Sequence, residues 1–306
     1  MNIVFMGTPD FAVKSLEKVI ADGHNVQAVY TKADAPKGRK MVLTPSDVKV
    51  CALEHNLLVY TPATFKDETE VERLKALNPD LIVVVAYGKL LPKSVLDIPK
   101  YGCVNVHGSI LPKWRGAAPI QWTVLSGDEY GGVTTMYMNE GLDTGDIIFK
   151  KEVKVGENET SGELFDRLCV DGAELLSETI KAIEAGTAPR IPQDDNDATY
   201  ASMLSKEISE IDWNKTANDV HNKVRGLSPW PSAQSKLFGK RIKIFETRVS
   251  DKFGEAGRVI SVNPLTIACS EGSVEILRLQ PEGKRAMSSA DYLMGHPLEI
   301  GTVFGE

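Results

Sequence analysis

The sequence predicts an α/β protein: a doubly wound, mostly parallel, Rossmann-like sheet at the N-terminus, followed by a small C-terminal OB-like β-barrel. Three observations carry this. Residues 81–86 read LIVVVA, an apolar, mostly β-branched run without polar alternation, as in a strand buried on both faces. Strand-like and helix-like stretches alternate ahead of it, as crossovers between parallel strands require. Past residue 206 the pattern changes to short strands separated by turns, which suits an antiparallel barrel.

The elements follow in order. Residues 2–6 (NIVFM) form the first strand, and the turn Gly7-Thr8-Pro9 leads into an amphipathic helix, FAVKSLEKVIADG. NVQAVYT is a second strand, residues 47–55 (DVKVCALEH) a helix, LLVYT a strand and DETEVERLKAL a helix. The single glycine turn is not GxGxxG, so it gives dinucleotide binding little support. Between about 186 and 206, GTAPRIPQDDNDATYASML has prolines, acidic and amide residues and no periodicity, and reads as a linker. Beyond it come a helix, TANDVHNKVRG, and the strands QSKLFGKRIKIFET, GRVISV, LTIAC and SVEILRLQ. The expected division is a catalytic domain at 1–187, a linker at 188–205 and a barrel at 206–306.

Composition narrows the class. With 306 residues, 42% hydrophobic and 25% charged, the chain reads as an ordinary globular protein of two domains. No apolar run approaches the roughly 18 residues of a membrane span, and the N-terminus lacks the basic region of a signal peptide. Cys51, Cys103, Cys169 and Cys269 are scattered without a CxxC pair, as expected of buried free thiols in a reducing cytoplasm. The net charge of -7 argues superficially against nucleic acid, but its distribution is uneven. From Lys206 onward there are 14 Lys and Arg against 13 Asp and Glu, whereas the first 205 residues carry 21 against 29. His24, His55, His221 and His296 show no HxxxH or HExxH spacing, so no catalytic metal is expected.

The chemical centre lies at 101–109, YGCVNVHGS. In a strand, Asn105 and His107 project from one face and Val104 and Val106 from the other. The strand ends at Gly108-Ser109, and ligands of open α/β sheets gather at such carboxyl ends. An amide and an imidazole side by side could hold a carbonyl oxygen; they could equally be the solvated face of an edge strand. A Pro-containing loop then passes Arg115-Gly116 into a helix, AAPIQWTVLSG, with Pro119 in its first turn. The segment GGVTTMYMNEGLDTGDII ends in a Gly-rich turn holding Asp143 and Asp146. Turn capping accounts for both acids on residue type alone, and Asp146 is expected to be such a cap.

The N-x-H pair, the loop Ser-Ile-Leu-Pro with Trp-Arg-Gly after it, and the distal GLDTGDI resemble the formyltetrahydrofolate-dependent formyltransferases. The start MGTPDFA, the segment VVVAYGKLLP at 83–92 and VRGLSPWP at 224–231 look like the branch of that family that formylates methionyl-tRNA. The resemblance spans nearly the whole chain; Ile110 stands where the family usually has Leu. It implies a catalytic set of Asn105, His107 and Asp143. It also implies a folate site lined by Ser109, Ile110, Leu111 and Pro112, with Tyr87 and Leu91 nearby. The implied formyl donor is the co-substrate 10-formyltetrahydrofolate, and the acceptor is the α-amine of initiator methionyl-tRNA.

The chemistry agrees with that set. A generic α-amine titrates near 7.7–8.0, so a usable fraction is neutral near pH 7. The enzyme's task is to place that amine against the formyl carbon and stabilise the tetrahedral oxyanion. Asn105 offers one donor, and His107 a second if its facing nitrogen is protonated. Asp143 would favour the charged ring and fix its orientation. Residue types leave donor and proton-acceptor roles for His107 open, with the donor role expected first.

Residues 31–40 (TKADAPKGRK) form a basic loop, which the resemblance assigns to the tRNA acceptor end through Lys37, Arg39 and Lys40. A second basic stretch, KLFGKRIKIFETR at 236–248, brings Lys240, Arg241 and Lys243, with Phe238 and Phe245 expected in the barrel core. Small-amine formyltransferases need neither basic stretch, and a nucleotide- or RNA-binding module without chemistry leaves the N-x-H and Asp constellation unexplained. A cytoplasmic monomer is expected.

Overall fold

The computed structural model describes residues 1–38 and 41–306. Its backbone forms two compact units. Met1–Gly116, Gly132–Val153 and Phe165–Tyr200 make the first; Ala117–Gly131, Lys154–Leu164 and Ala201–Glu306 make the second. The stretch read as a linker is tied to the first unit along 191–199. Ile191 and Ile147 exchange backbone hydrogen bonds of 3.0 and 2.8 Å, and the Arg115 N–H donates to the Thr199 carbonyl at 2.9 Å. The second unit takes in two segments that precede residue 206, including the helix Pro119–Leu125, whose first residue is the proline read from sequence.

The first unit is built on seven strands: β1 (Asn2–Gly7), β2 (Asn25–Tyr30), β3 (Val59–Tyr60), β4 (Leu81–Val85), β5 (Cys103–His107), β6 (Tyr130–Tyr137) and β7 (Ile147–Lys154). Their order is β7-β6-β5-β4-β1-β2-β3. Neighbours from β5 to β3 run parallel, and β6 is antiparallel to β5. The chain moves outward from β1 to β3, then returns to β4 on the other side, so strand order switches beside β1 and β4. That is where open α/β sheets open a ligand crevice at their carboxyl ends.

Helices cover both faces because both faces are apolar. All five residues of β4 are buried. Val4, Met6, Ala28, Tyr30, Ile82, Val84 and Cys103 meet Phe65, Val71 and Leu74 on one side. The last two belong to α3 (Glu68–Ala76), which follows α1 (Val13–Ala21) and α2 (Asp47–Glu54). Asp67 caps α3 by accepting the Thr69 N–H. Glu68 and Glu70 open the helix while Arg73 and Lys75 close it, each charge matched to the helix dipole. On the other side, α4 (Ser161–Glu184) reaches β5 and β6 through Gly172, where an added Cβ would sit 3.1 Å from Val106 and 3.7 Å from Val133. Among the described residues no helix is long and apolar enough to cross a membrane, and all four cysteines are buried and free.

The second unit is an antiparallel sheet with α5 (Ala217–Gly226) in its core and α6 (Ser289–Gly295) near its end. Its strands β8 (Ala233–Leu237), β9 (Lys240–Ser250), β10 (Val259–Val262), β11 (Leu265–Ala268) and β12 (Ser273–Pro281) lie in the order β8-β9-β12-β11-β10. The tail joins the two edges, since Phe304 bridges Leu237 and Val303 bridges Arg258. Closure of this kind removes exposed strand edges. α5 starts in a capping box between Thr216 and Asp219.

His221 of α5 is buried, with Nδ1 2.8 Å from Thr247 Oγ1 and Nε2 3.0 Å from the Glu157 carbonyl. Burial, helped by the nearby Arg225 charge, lowers its pKa below the ordinary 6.5. As pH falls through the unfolded value, the unfolded chain takes up a proton that the folded chain refuses, so stability declines on acidification. The melting temperature is expected to fall between pH 7.5 and 5.5, and to fall less in His221→Gln. Equal falls in the two proteins would show that His221 contributes nothing to the pH dependence.

Candidate active site

β5 lies inside the sheet between β4 and β6, so the edge-strand alternative does not apply. Cys103 and Asn105 stand level with Ile82 and Val84 of β4, which puts Asn105 and His107 on one face and Val106 on the face covered by α4. Burial pushes the Cys103 thiol up to about 12, which leaves it a neutral core thiol near pH 7. Asn105 is only 8% exposed, and among the described residues its amide has no hydrogen-bond partner. An idle amide at a strand's carboxyl end is suited to a ligand oxygen.

His107 Nε2 lies 2.9 Å from the Trp114 carbonyl oxygen. A carbonyl can only accept, so Nε2 carries a proton and donates it there. Nδ1 faces Asp143, with 3.7 Å to Oδ2, and the same oxygen accepts the Gly116 N–H at 2.8 Å. The Asp143 carboxylate is thereby fixed between the ring and the loop after β5. Asp143 itself has φ +53°, a left-handed conformation uncommon outside glycine but tolerated by Asp. Two residues on, Gly145 admits no side chain, because a Cβ would overlap the Tyr137 carbonyl oxygen. Asp146, expected to cap the turn, instead faces Arg190 at 3.5 Å; the Arg190 guanidinium stacks 3.7 Å above the Tyr137 ring.

Sequence reasoning missed two residues here. Arg115 is 1% exposed, and its Nε and Nη2 donate to Gln193 Oε1 at 3.1 and 2.9 Å, while Nη1 meets Asp195 at 2.9 Å. Gln193 Nε2 in turn donates to the Asp143 and Gly145 carbonyls, both at 2.8 Å. Gln193 lies in the stretch read as a linker, where nothing in its neighbours marks it. Arg115 carried a signal only as part of the Trp-Arg-Gly motif.

The residues expected to line the folate site divide into two kinds. The side chains of Tyr87, Leu91, Ser109 and Leu111 are buried, and Ile110 and Pro112 are half-buried. Ser109 Oγ donates to the Lys113 carbonyl at 2.6 Å, and its own carbonyl accepts Thr134 Oγ1 at 2.6 Å. Among the described residues the Tyr87 hydroxyl has no partner, and burial raises its pKa. These segments therefore offer a ligand mainly backbone and the edges of Ile110 and Pro112.

Of the expected tRNA contacts, Lys37 is exposed on a short strand, Ala35–Lys37, which pairs with Val42–Thr44; Arg39 and Lys40 lie outside the described residues. Lys240 is exposed where β9 begins. Arg241 and Lys243 alternate with the buried Ile242 and Ile244, so they share the outer face, level with Lys236 and Gln234 of β8. Phe238, expected in the core, is 72% exposed. It sits between β8 and β9 at φ +52° beside Gly239 at +72°, and two successive positive φ angles make the tight hairpin that splits the single strand read there. Phe245 is half-buried on the face opposite Ile242 and Ile244.

Comparison with known proteins meets this geometry. Residues 1–180 match the family model "Formyl transferase" and residues 203–297 match "Formyl transferase, C-terminal domain". The chain is 48% identical over 315 residues to the methionyl-tRNA formyltransferase of Lachnospira eligens and 45% identical over 309 residues to that of Clostridioides difficile, each covering 100% of both chains. Among solved structures it resembles the Helicobacter canadensis N-formyltransferase in complex with folinic acid and dTDP-3-aminofucose. There the TM-score is 0.70 at 20% identity, covering 92% of this chain and 99% of the other. It also resembles HypX from Aquifex aeolicus in complex with tetrahydrofolic acid, with TM-score 0.65 at 18% identity, covering 96% of this chain and 47% of the other. At such identities the two structures speak for the fold alone.

Proposed function

The chain belongs to the formyl transferase family and stands with its methionyl-tRNA formyltransferases, and on that premise we propose that Asn105, His107 and Asp143 carry the transfer. The enzyme is folate-dependent and formylates methionyl-tRNA. The donor in this reading is 10-formyltetrahydrofolate, and the acceptor is the free α-amine of the initiator methionyl-tRNA.

The observation that supports the catalytic set is the Asn105 amide, unpaired among the described residues, beside His107, with Asp143 3.7 Å from Nδ1. The amine nitrogen attacks the formyl carbon and forms a C–N bond while the carbonyl oxygen takes the negative charge. Asn105 donates to that oxygen. His107 donates from Nε2 once the proton now given to Trp114 is turned to the substrate. The C–N10 bond then breaks, N10 takes a proton, the amine has lost one, and the carbonyl re-forms. Asn105 is preorganised for this, since it breaks no hydrogen bond to a described residue as charge develops, whereas His107 must exchange the Trp114 carbonyl for the substrate oxygen.

The backbone of 87–91 and 109–112 holds the folate in this reading. Lys37, Arg39, Lys40, Lys240, Arg241 and Lys243 meet tRNA phosphates. Residues 1–187 carry the chemistry, 188–205 connect, and 206–306 aid tRNA binding; the enzyme works as a cytoplasmic monomer without a metal. A small amino sugar as acceptor has only fold-level likeness in its favour, whereas the full-length identity favours the tRNA.

The test is incubation with 10-formyltetrahydrofolate and initiator methionyl-tRNA, followed by analysis of the aminoacyl product for N-formylmethionine. Product with a small amine but none with the tRNA overturns the reading. Six phosphate contacts would also make log KM for tRNA rise with log salt at a slope of about 4–5. The KM for the folate should hardly move, and a flat tRNA response would remove the basic residues from the interface.

A further inference from the structure

We propose that Gln193 is a positioning residue for the reaction, held by Arg115 and setting the Asp143 turn against His107. The inference rests on Asp143 belonging to the catalytic set. Its own ground is the direction of the four bonds between this amide and oxygen or nitrogen, beside a weaker 3.9 Å approach of its nitrogen to Met136 Sδ. The Gln193 oxygen accepts two N–H groups from Arg115, and its nitrogen donates to the Asp143 and Gly145 carbonyls. Turning the amide over would set N–H against N–H and oxygen against oxygen at all four contacts, so its orientation is fixed by chemistry. The Arg115 guanidinium is itself buried and is paired at its remaining nitrogen with Asp195.

The turn needs such a clamp. Asp143 is left-handed, which costs free energy unless surrounding bonds hold it. Its carboxylate has one backbone donor, Gly116, and stands 3.7 Å from the ring, so a small relaxation of the turn would carry it out of reach. Gly145 is pressed on the Tyr137 carbonyl, and Gln193 grips the turn on both sides of Thr144. The residue acts on the chemistry only through Asp143.

The experiment is a kinetic double-mutant cycle in the full-length enzyme with 10-formyltetrahydrofolate and methionyl-tRNA. Gln193→Glu keeps the side chain's shape and its bonds to Arg115 but cannot donate to the two carbonyls. It and Gln193→Ala should each lower kcat about 10²-fold, the scale of an ångström-sized misplacement, with KM for both substrates within about twofold. Adding either change to Asp143→Asn should lower kcat no further, because the carboxylate they position is already gone. Wild-type kcat in Gln193→Glu, or losses that multiply in the double variants, overturns the proposal. If Asp143→Asn alone has wild-type kcat, the catalytic assignment fails and this inference fails with it.

Discussion

Asn105→Ala is expected to lower kcat by about 10²–10³, the usual effect of removing one oxyanion donor. The size follows from where the amide stands. It stands on a buried interior strand between β4 and β6, level with Val84 and Met136, so the backbone that carries it is held by two ladders. Because it has no partner among the described residues, it need not break a bond to meet the substrate. Loss of the amide removes a donor placed by the strand, which a mobile water does not match in position. The same substitution removes a buried polar group from an apolar face, so stability should not fall in step with activity. Measuring kcat at saturating substrates beside a thermal melt separates the two. A variant within threefold of wild-type turnover would take Asn105 out of the mechanism, whatever its melting temperature.

How much of this was legible beforehand depends on whether the signal was local. The LIVVV run, the N-x-H alternation and the Pro119 helix start are written in adjacent residues, and the structure has each of them in the expected element. The hairpin at Phe238-Gly239 was not legible, because a phenylalanine in a left-handed turn lacks the Asn-Gly or Asp-Gly signature. Its exposure followed from the same oversight: read as one strand, KLFGKRIKIF puts Phe238 in register with Ile242 and Ile244, and the turn breaks that register. Gln193 was illegible for a different reason. Its neighbours are prolines and acids, as in any tether, and its importance arises from Arg115 and Asp143, 78 and 50 residues away. Tertiary partnerships at that distance leave no periodicity. Asp143 itself became more than a turn residue only through the family resemblance; its 3.7 Å approach to His107 now gives that assignment a geometric basis.

Asp143→Asn is expected to cost about 10²–10³ in turnover, comparable to Asn105→Ala, and it is the cleaner substitution. Asparagine has the same shape and also tolerates the left-handed φ of +53°, so the turn should persist where alanine would add strain. The amide oxygen can go on accepting the Gly116 N–H at the place of Oδ2. What changes is the charge beside His107 Nδ1. A carboxylate there can only accept and holds the ring's plane; a neutral amide holds it less firmly. An amide turned the other way would even donate to Nδ1 and reorient the ring. The loss should therefore fall on kcat, with KM for folate and tRNA little altered and the melting temperature near that of the wild type. Turnover close to wild type would mean that the Trp114 carbonyl orients the ring without help, and that the carboxylate serves only to hold Gly116.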